Sequence, residues 1–404
     1  MSKFIYRCTD CGAEYSAEGI RYLCPVCSAT NDAENPPKGV LKLIYPYDTI
    51  KKTFKELKAN GFLDILPINS TDSYPKLKVG NTPLYEFNEL DNKTLDFHLF
   101  LKDESSNPTF SFKDRASALV SAFAKENGIE TIVAASTGNA GSSLAGLCAS
   151  QKQKAIIMVP EAAPLAKLTQ ILMYGARIVP VKGTYDDAFD LSIKATEKFG
   201  WYNRNTGFNP LTVEGKKSVS FEIFDQLGET LPDRIFVSVG DGVIISGIYK
   251  GFEDLLKLKI IEKIPVIVGV QAVGSDNLSR NITNAKFEIR PSKTIADSIS
   301  VDIPRNFNMA KQFILKYNGE TITVSDTEIV NASGILSRNT GIFAEPAATT
   351  AFAGMLKYLE HNKLEKNSKN LVLLTGNGLK DLKAVQSILN MPPSVEPNID
   401  SISH

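Results

Sequence analysis

The chain carries no surplus charge of either sign, has a single cysteine beyond its first 27 residues, and holds only three histidines and one tryptophan in 404 residues. Lys plus Arg and Asp plus Glu each total 45, so no global field draws the protein to nucleic acid or to an anionic membrane. No apolar run approaches the ~18 residues of a membrane span. The opening MSKFIYRCTDCG lacks the basic and apolar segments of a secretory signal, and a cytoplasmic location is expected. His98, His361 and His404 are scattered, which supports neither a histidine metal cluster nor a histidine base. Trp201 and the tyrosines form no basic, aromatic platform for nucleic acid. A small-molecule partner is expected, and a homodimer is compatible with the sequence.

What is present is ordinary globular composition, 43% hydrophobic and 22% charged, in a chain long enough for two or three domains. The exception is residues 1–39. Cys8 and Cys11, then Cys24 and Cys27, make two CxxC knuckles separated by twelve residues. Each knuckle presents two thiolates at one turn, and two knuckles complete the tetrahedral sulfur shell that zinc prefers. Four protein ligands close that shell, so the zinc is expected to be structural. Cys148, alone in AGLCAS, reads as a core residue.

After the Pro-rich hinge AENPPKG, short β-branched runs alternate with helix-length stretches. TIVAAST, KAIIMVP, ARIVPV, RIFVSV, VIVGVQA and NLVLLTG have the pattern of buried parallel strands. The class is α/β with open sheets.

Four segments have the composition of ligand loops. In SSNPTFSFKDRAS, Lys113 stands at a helix start beside Arg115; a destabilised ammonium there would yield a nucleophilic amine, although from this segment alone a solvated surface lysine is the favoured reading. In AASTGNAGSSLAG, a strand, a hydroxyl-rich turn and a small-residue helix converge several N–H groups on one point, which suits a carboxylate or phosphate. FVSVGDGVIISG is a second strand, glycine turn and helix, weak as evidence by itself. In LVLLTGNGLKD, Thr375 ends a strand before Gly376 and Gly378.

In this order the four loops resemble those of the fold-type II pyridoxal phosphate enzymes, and most of all the threonine synthases. NPTFSFKDR is similar to the family's NPTGSFKDR, STGNAG to its asparagine loop, VGDGVIISG to its phosphate loop and TGNGLKD to its C-terminal strand motif; IFAEPAATTAFAG is similar to AEPAGAA. The likeness covers essentially the whole chain, including the cysteine module that several threonine synthases carry. It implies two open α/β domains with the cofactor between them, the larger from 40–120 and 206–404 and the smaller from 121–205.

The resemblance also implies roles. Lys113 would hold pyridoxal 5′-phosphate as a Schiff base and shuttle protons, with Phe112 beside the ring and Asn139 on its 3-hydroxyl. Gly240, Asp241, Gly242, Val243 and Ile244 would wrap the cofactor phosphate, and Thr375 would face the pyridine nitrogen. Ser136, Thr137, Gly138 and Asn139 would take the substrate carboxylate.

Two positions depart from the family. Where it reads approximately NSVNPxRxEGQKT, this chain reads NTGFNPLTVEGKKS, with Thr212 in place of the arginine. Lys216 and Lys217 are the nearest compensating cations, though a lysine lacks the bidentate guanidinium fork. Asp241 replaces the usual Asn of the phosphate loop. The implied reaction is O-phosphohomoserine plus water to threonine plus phosphate. β-Elimination or β-replacement on serine, threonine or diaminopropionate is the alternative, and a catalytically silent binding paralogue is a third reading.

Overall fold

The structure, a computed structural model, describes residues 2–389 and 391–402, so His404 lies outside the described residues. Its strands are β1 (Ile5–Cys8), β2 (Glu14–Ser16), β3 (Leu41–Ile44), β4 (Leu84–Leu90), β5 (Lys93–Asp103), β6 (Thr131–Ala135), β7 (Lys154–Pro160), β8 (Arg177–Val181), β9 (Tyr202–Asn203), β10 (Arg234–Ser238), β11 (Val266–Ala272), β12 (Glu320–Val324) and β13 (Lys369–Leu374). They form three sheets, ordered β2-β1-β3, β12-β11-β10-β13-β5-β4 and β8-β7-β6-β9.

All six runs singled out in the sequence are strands, and all lie in the two larger sheets. β6–β9 are wholly parallel, and so are β5 and β10–β13. The continuous apolar character of the central strands follows from burial on both faces. Phe236, Val268, Val270 and Val372 face the helix Pro346–Glu360, whereas Ile235, Val237, Ile267, Leu371 and Leu373 join Ile245, Ile248 and Phe252 of the helix Val243–Lys257. β8 carries Pro180 and takes an edge, where a missing N–H costs no ladder bond.

The β4–β5 hairpin, antiparallel at the edge of the six-stranded sheet, was not singled out from the sequence. Its turn is Asp91-Asn92, with φ of 48° and 59°, the left-handed pair that a two-residue hairpin turn requires and that Asp and Asn tolerate. The N-terminal sheet reaches past residue 39, because β3 pairs with β1 from Ile5 opposite Ile44 to Cys8 opposite Leu41.

One buried ionic network ties residues 42–47 to the body. Asp254 accepts from Lys217 Nζ at 2.8 Å and Tyr47 Oη at 2.6 Å, and also pairs with Lys250. Glu214 accepts from Tyr45 Oη at 2.7 Å and Lys217 Nζ at 2.5 Å, and Lys42 pairs with Glu253. Burial pushes the Asp254 carboxyl up, but Lys217 and Lys250 outweigh it and hold it below the usual range. Asp254→Asn should therefore destabilise the protein by about 3–5 kcal/mol at neutral pH, since two buried ammonium groups lose their shared counter-charge. Urea unfolding measures this. Because the folded pKa is depressed, the wild-type contribution is present at neutral pH and lost as acid titrates the carboxylate, so the gap between the two proteins should close at low pH.

Candidate active site

The four ligand loops leave the carboxyl ends of parallel strands, where open α/β sheets bind ligands. The Lys113 segment follows β5, the Ser136 turn follows β6, the Gly240 loop follows β10 and Thr375 follows β13.

Backbone hydrogen bonds stitch two of these loops, and the segment Phe343–Glu345, together. Phe112 N–H donates to Thr375 O at 2.9 Å, Asn377 N–H to Phe110 O at 3.1 Å, Glu345 N–H to Gly376 O at 3.0 Å and Gly378 N–H to Phe343 O at 2.9 Å. Lys113 is thereby held at the first residue of the helix Lys113–Glu126. Burial lowers its ammonium pKa, and the Arg204 charge adds to the lowering, while Glu345 and Asp241 oppose it. A lysine in that field is a more available amine than a solvated one. Phe110 has φ of 68°, strained backbone for a bulky residue and the position at which the related motif has Gly.

Asn139 opens the helix Asn139–Gln151, and its Nδ2 donates to both oxygens of Glu345, at 2.9 and 3.0 Å. Glu345 is 4% exposed. Burial raises its carboxyl pKa, against the pull of Asn139, Lys113 and Lys380. Glu345 thus connects the asparagine loop to the Lys113 region, a role that its place in IFAEPAATT did not reveal. Ser136 Oγ accepts from Gly138 N–H at 3.3 Å, shaping the turn before that helix.

In the glycine loop, Gly242 has φ of 83°, and a Cβ on Gly240 would fall 2.9 Å from Ile299 Cα. Both positions demand glycine, and the loop runs straight into the N-terminus of Val243–Lys257, so Val243 and Ile244 belong to its first turn, where N–H groups lack helical partners. The Asp241 carboxylate does not stand free: its Oδ1 accepts from Arg305 N–H at 3.2 Å. Arg305 itself reaches the helix Tyr185–Phe199, where it pairs with Asp186 and stacks 4.2 Å from the Phe189 ring.

Lys216 and Lys217 part company. Lys217 is not brought to the site, because its Nζ bonds to Glu214, Asp254 and Ile65 O in the ionic network described above. Lys216 points the other way, and Arg204, Lys113 and Asp241 are the charges acting on it. Thr212 is buried, with Oγ1 donating to Asn209 O at 2.7 Å. Arg204, which the sequence reading passed over, is 1% exposed.

The four knuckle sulfurs lie within 4.8 Å of one another, with Cys8–Cys27 and Cys11–Cys24 both at 3.8 Å. A tetrahedron with Zn–S of about 2.3 Å has edges of about 3.8 Å, so the donor set fits zinc. Donors for a phosphorylated pyridine fit as well: Ser111 Oγ and Ser238 Oγ, at the ends of two ligand loops, are buried without a hydrogen-bond partner among the described residues, and the Gly240–Gly242 loop supplies a phosphate cradle.

The fold and this site define a fold-type II pyridoxal phosphate enzyme. Residues 76–376 match the family model "Pyridoxal-phosphate dependent enzyme", and the chain belongs to that family. Within it, the chain is 36% identical to the threonine synthase of Methanocaldococcus jannaschii, over 97% of this chain and 96% of the relative, and 33% identical to that of Methanosarcina acetivorans, over 98% and 97%. It is a member of the threonine synthase family. Among solved structures, processed threonine deaminase isoform 2 of Solanum lycopersicum shares the fold, with a TM-score of 0.70 and 22% identity over 91% of this chain and 99% of that one.

The cysteine module touches the helix Phe307–Lys316 and β9 with the loop that follows it. Asn308 Nδ2 donates to Asp10 Oδ1 at 3.0 Å and Gln312 Nε2 to Thr9 O at 2.8 Å, while Asn203 N–H donates to Tyr22 Oη at 2.9 Å and Tyr22 stacks on Phe208. The protein should bind one zinc per chain. Chelating it should raise hydrogen exchange not only in residues 2–44 but also in Asn203–Phe208 and Phe307–Lys316. Elemental analysis and exchange mass spectrometry check this; exchange confined to the module would show that it is energetically separate.

Proposed function

We propose that the protein is a threonine synthase, converting O-phosphohomoserine and water to threonine and phosphate. The observation that carries the reading is the end-to-end similarity to threonine synthases, cysteine module included, in a chain that keeps Lys113 at the meeting point of its ligand loops. When bound, pyridoxal 5′-phosphate supplies an electron sink for the amino acid's carbon framework.

In this reading Lys113 Nζ holds the cofactor covalently. The Lys113 amine, its ammonium form disfavoured by burial, would also carry protons between the substrate carbons. Gly240, Asp241, Gly242, Val243 and Ile244 hold the cofactor phosphate with N–H groups at a helix start. Asn139, braced by Glu345, Phe112 and the Thr375 hydroxyl would hold the pyridine ring. The Ser136, Thr137, Gly138 and Asn139 turn takes the substrate carboxylate at the N-terminus of the helix it opens. Phosphate leaves from Cγ, and the oxygen of water ends on Cβ.

Purified holoenzyme given O-phosphohomoserine should release phosphate and threonine in equal amounts. Release of keto acid and ammonia from serine, threonine or diaminopropionate, with O-phosphohomoserine ignored, would replace this reading with that of an eliminating lyase. Lys113→Ala should remain folded, lose the visible absorption and borohydride-reducible linkage of the bound cofactor, and lose turnover, because the role is covalent and not one of packing. Circular dichroism and absorption spectra of the variant check this.

A further inference from the structure

Two basic side chains near Lys113 form no salt bridge among the described residues. Lys216, at the end of the helix Leu211–Lys216, and Arg204, just after β9, are both almost wholly buried. Lys216 Nζ and Arg204 Nη2 have no hydrogen-bond partner among the described residues. An interior cation left in that condition is costly and is tolerated where a ligand brings the missing charge.

Both side chains are held so as to point at one region. Arg204 Nε donates to Ser117 Oγ at 3.1 Å, one turn beyond Lys113 on the same helix, and Nη1 to Thr206 Oγ1 at 2.7 Å, which leaves Nη2 over. Lys216 is wedged where three helices meet: a Cβ on Gly215 would fall 2.3 Å from Arg115 O, and one on Gly247 2.6 Å from Lys216 Cβ. The nearby carboxylates are engaged elsewhere. Asp114, the carboxylate acting on Arg204, takes Thr109 N–H and Oγ1, Asp241 takes Arg305 N–H, Glu345 takes Asn139, and Glu214 takes Tyr45 and Lys217.

We propose that Arg204 and Lys216 together form the subsite for the phosphoryl group of the amino-acid substrate, doing the work of the arginine that the threonine synthase pattern has at Thr212. The inference rests on the threonine synthase reading. A guanidinium and an ammonium supply charge-assisted donors that a phosphoryl dianion accepts. The substrate's phosphate, and not the cofactor's, is indicated by where Arg204 comes from. Its N–H donates to Val133 O at 2.8 Å, on β6, and Asn205 Oδ1 accepts from Ala135 N–H at 2.8 Å. It therefore extends from the strand next to the one that ends in the Ser136 turn, whereas the glycine loop belongs to the other sheet. Burial drives the Lys216 ammonium pKa far down, with Arg204 and Lys113 adding to the effect, so an arriving dianion meets a group that gains by its presence.

The test compares wild-type holoenzyme with Arg204→Met and Lys216→Gln. Gln stands at the second position in the family pattern, so that variant is expected to fold, and the absorption of bound cofactor reports on both. Each variant should raise KM for O-phosphohomoserine by roughly tenfold or more. Inhibition by inorganic phosphate should weaken in parallel, and the Kd for pyridoxal phosphate from titration of apoenzyme should not change. Adding Thr212→Arg to Arg204→Met should restore part of the affinity. Unchanged KM and phosphate inhibition overturn the inference. So does a weaker Kd for pyridoxal phosphate at constant KM, which assigns the pair to the cofactor. Should the wild type ignore O-phosphohomoserine, the functional reading fails by itself, and calorimetric titration with inorganic phosphate still decides the pair: binding to the wild type but not to the variants upholds an anion subsite, and no difference removes it.

Discussion

The hydrogen bond from Phe112 N–H to Thr375 O is the constraint on which the site depends. It joins a loop that leaves β5 to the end of neighbouring β13, and through Gly376 and Glu345 it also takes in the start of the helix Pro346–Glu360. Because these are main-chain bonds, the position of Lys113 relative to Thr375 is independent of side-chain rotamers. Glu345, fixed by the same stitching, then reaches Asn139 at the start of the helix that follows β6. A single chain of contacts thus aligns both walls around one lysine, as preorganised chemistry requires.

Charge in the interior is distributed in two contrasting ways. Lys217, Lys250, Glu214, Asp254 and the tyrosines Tyr45 and Tyr47 form a closed network in which donors and acceptors answer each other. One residue away, Lys216 Nζ has no hydrogen-bond partner among the described residues. Adjacent residues on a helix point about 100° apart, so the two consecutive lysines leave on different faces: Lys217 binds the N-terminal segment to the body, while Arg204, Lys113 and Asp241 are the charges that act on Lys216. The departures at Thr212 and Asp241 become intelligible in the same terms. Thr212 spends its hydroxyl on Asn209 O and carries no charge, Arg204 brings a guanidinium from the end of β9, and Asp241 accepts from Arg305 N–H.

Much of this was legible beforehand, and the reason is local. Strands buried on both faces must be apolar throughout, which is why six of them stood out as β-branched runs, and a turn that cradles an anion must be rich in Gly, Ser and Thr whatever surrounds it. The two knuckles announced their sulfur cluster by spacing alone. β4 was obscured because it is an edge strand with largely exposed residues, which blurs the hydrophobic pattern. β12, half-exposed on the opposite edge, was hidden for the same reason.

The sequence by itself determined the α/β class, the order of the glycine- and hydroxyl-rich loops and the clustering of the four cysteines, since each depends on residue type within a short window. Only the tertiary structure decided which charges meet. Glu345 with Asn139, Arg204 with Ser117 and Lys217 with Asp254 are separated by 206, 87 and 37 residues, and no local pattern encodes such pairs. Whether a buried lysine is paired or waits for a ligand depends on what the fold packs against it, and on that point Lys216 and Lys217 are alike in sequence and opposite in structure.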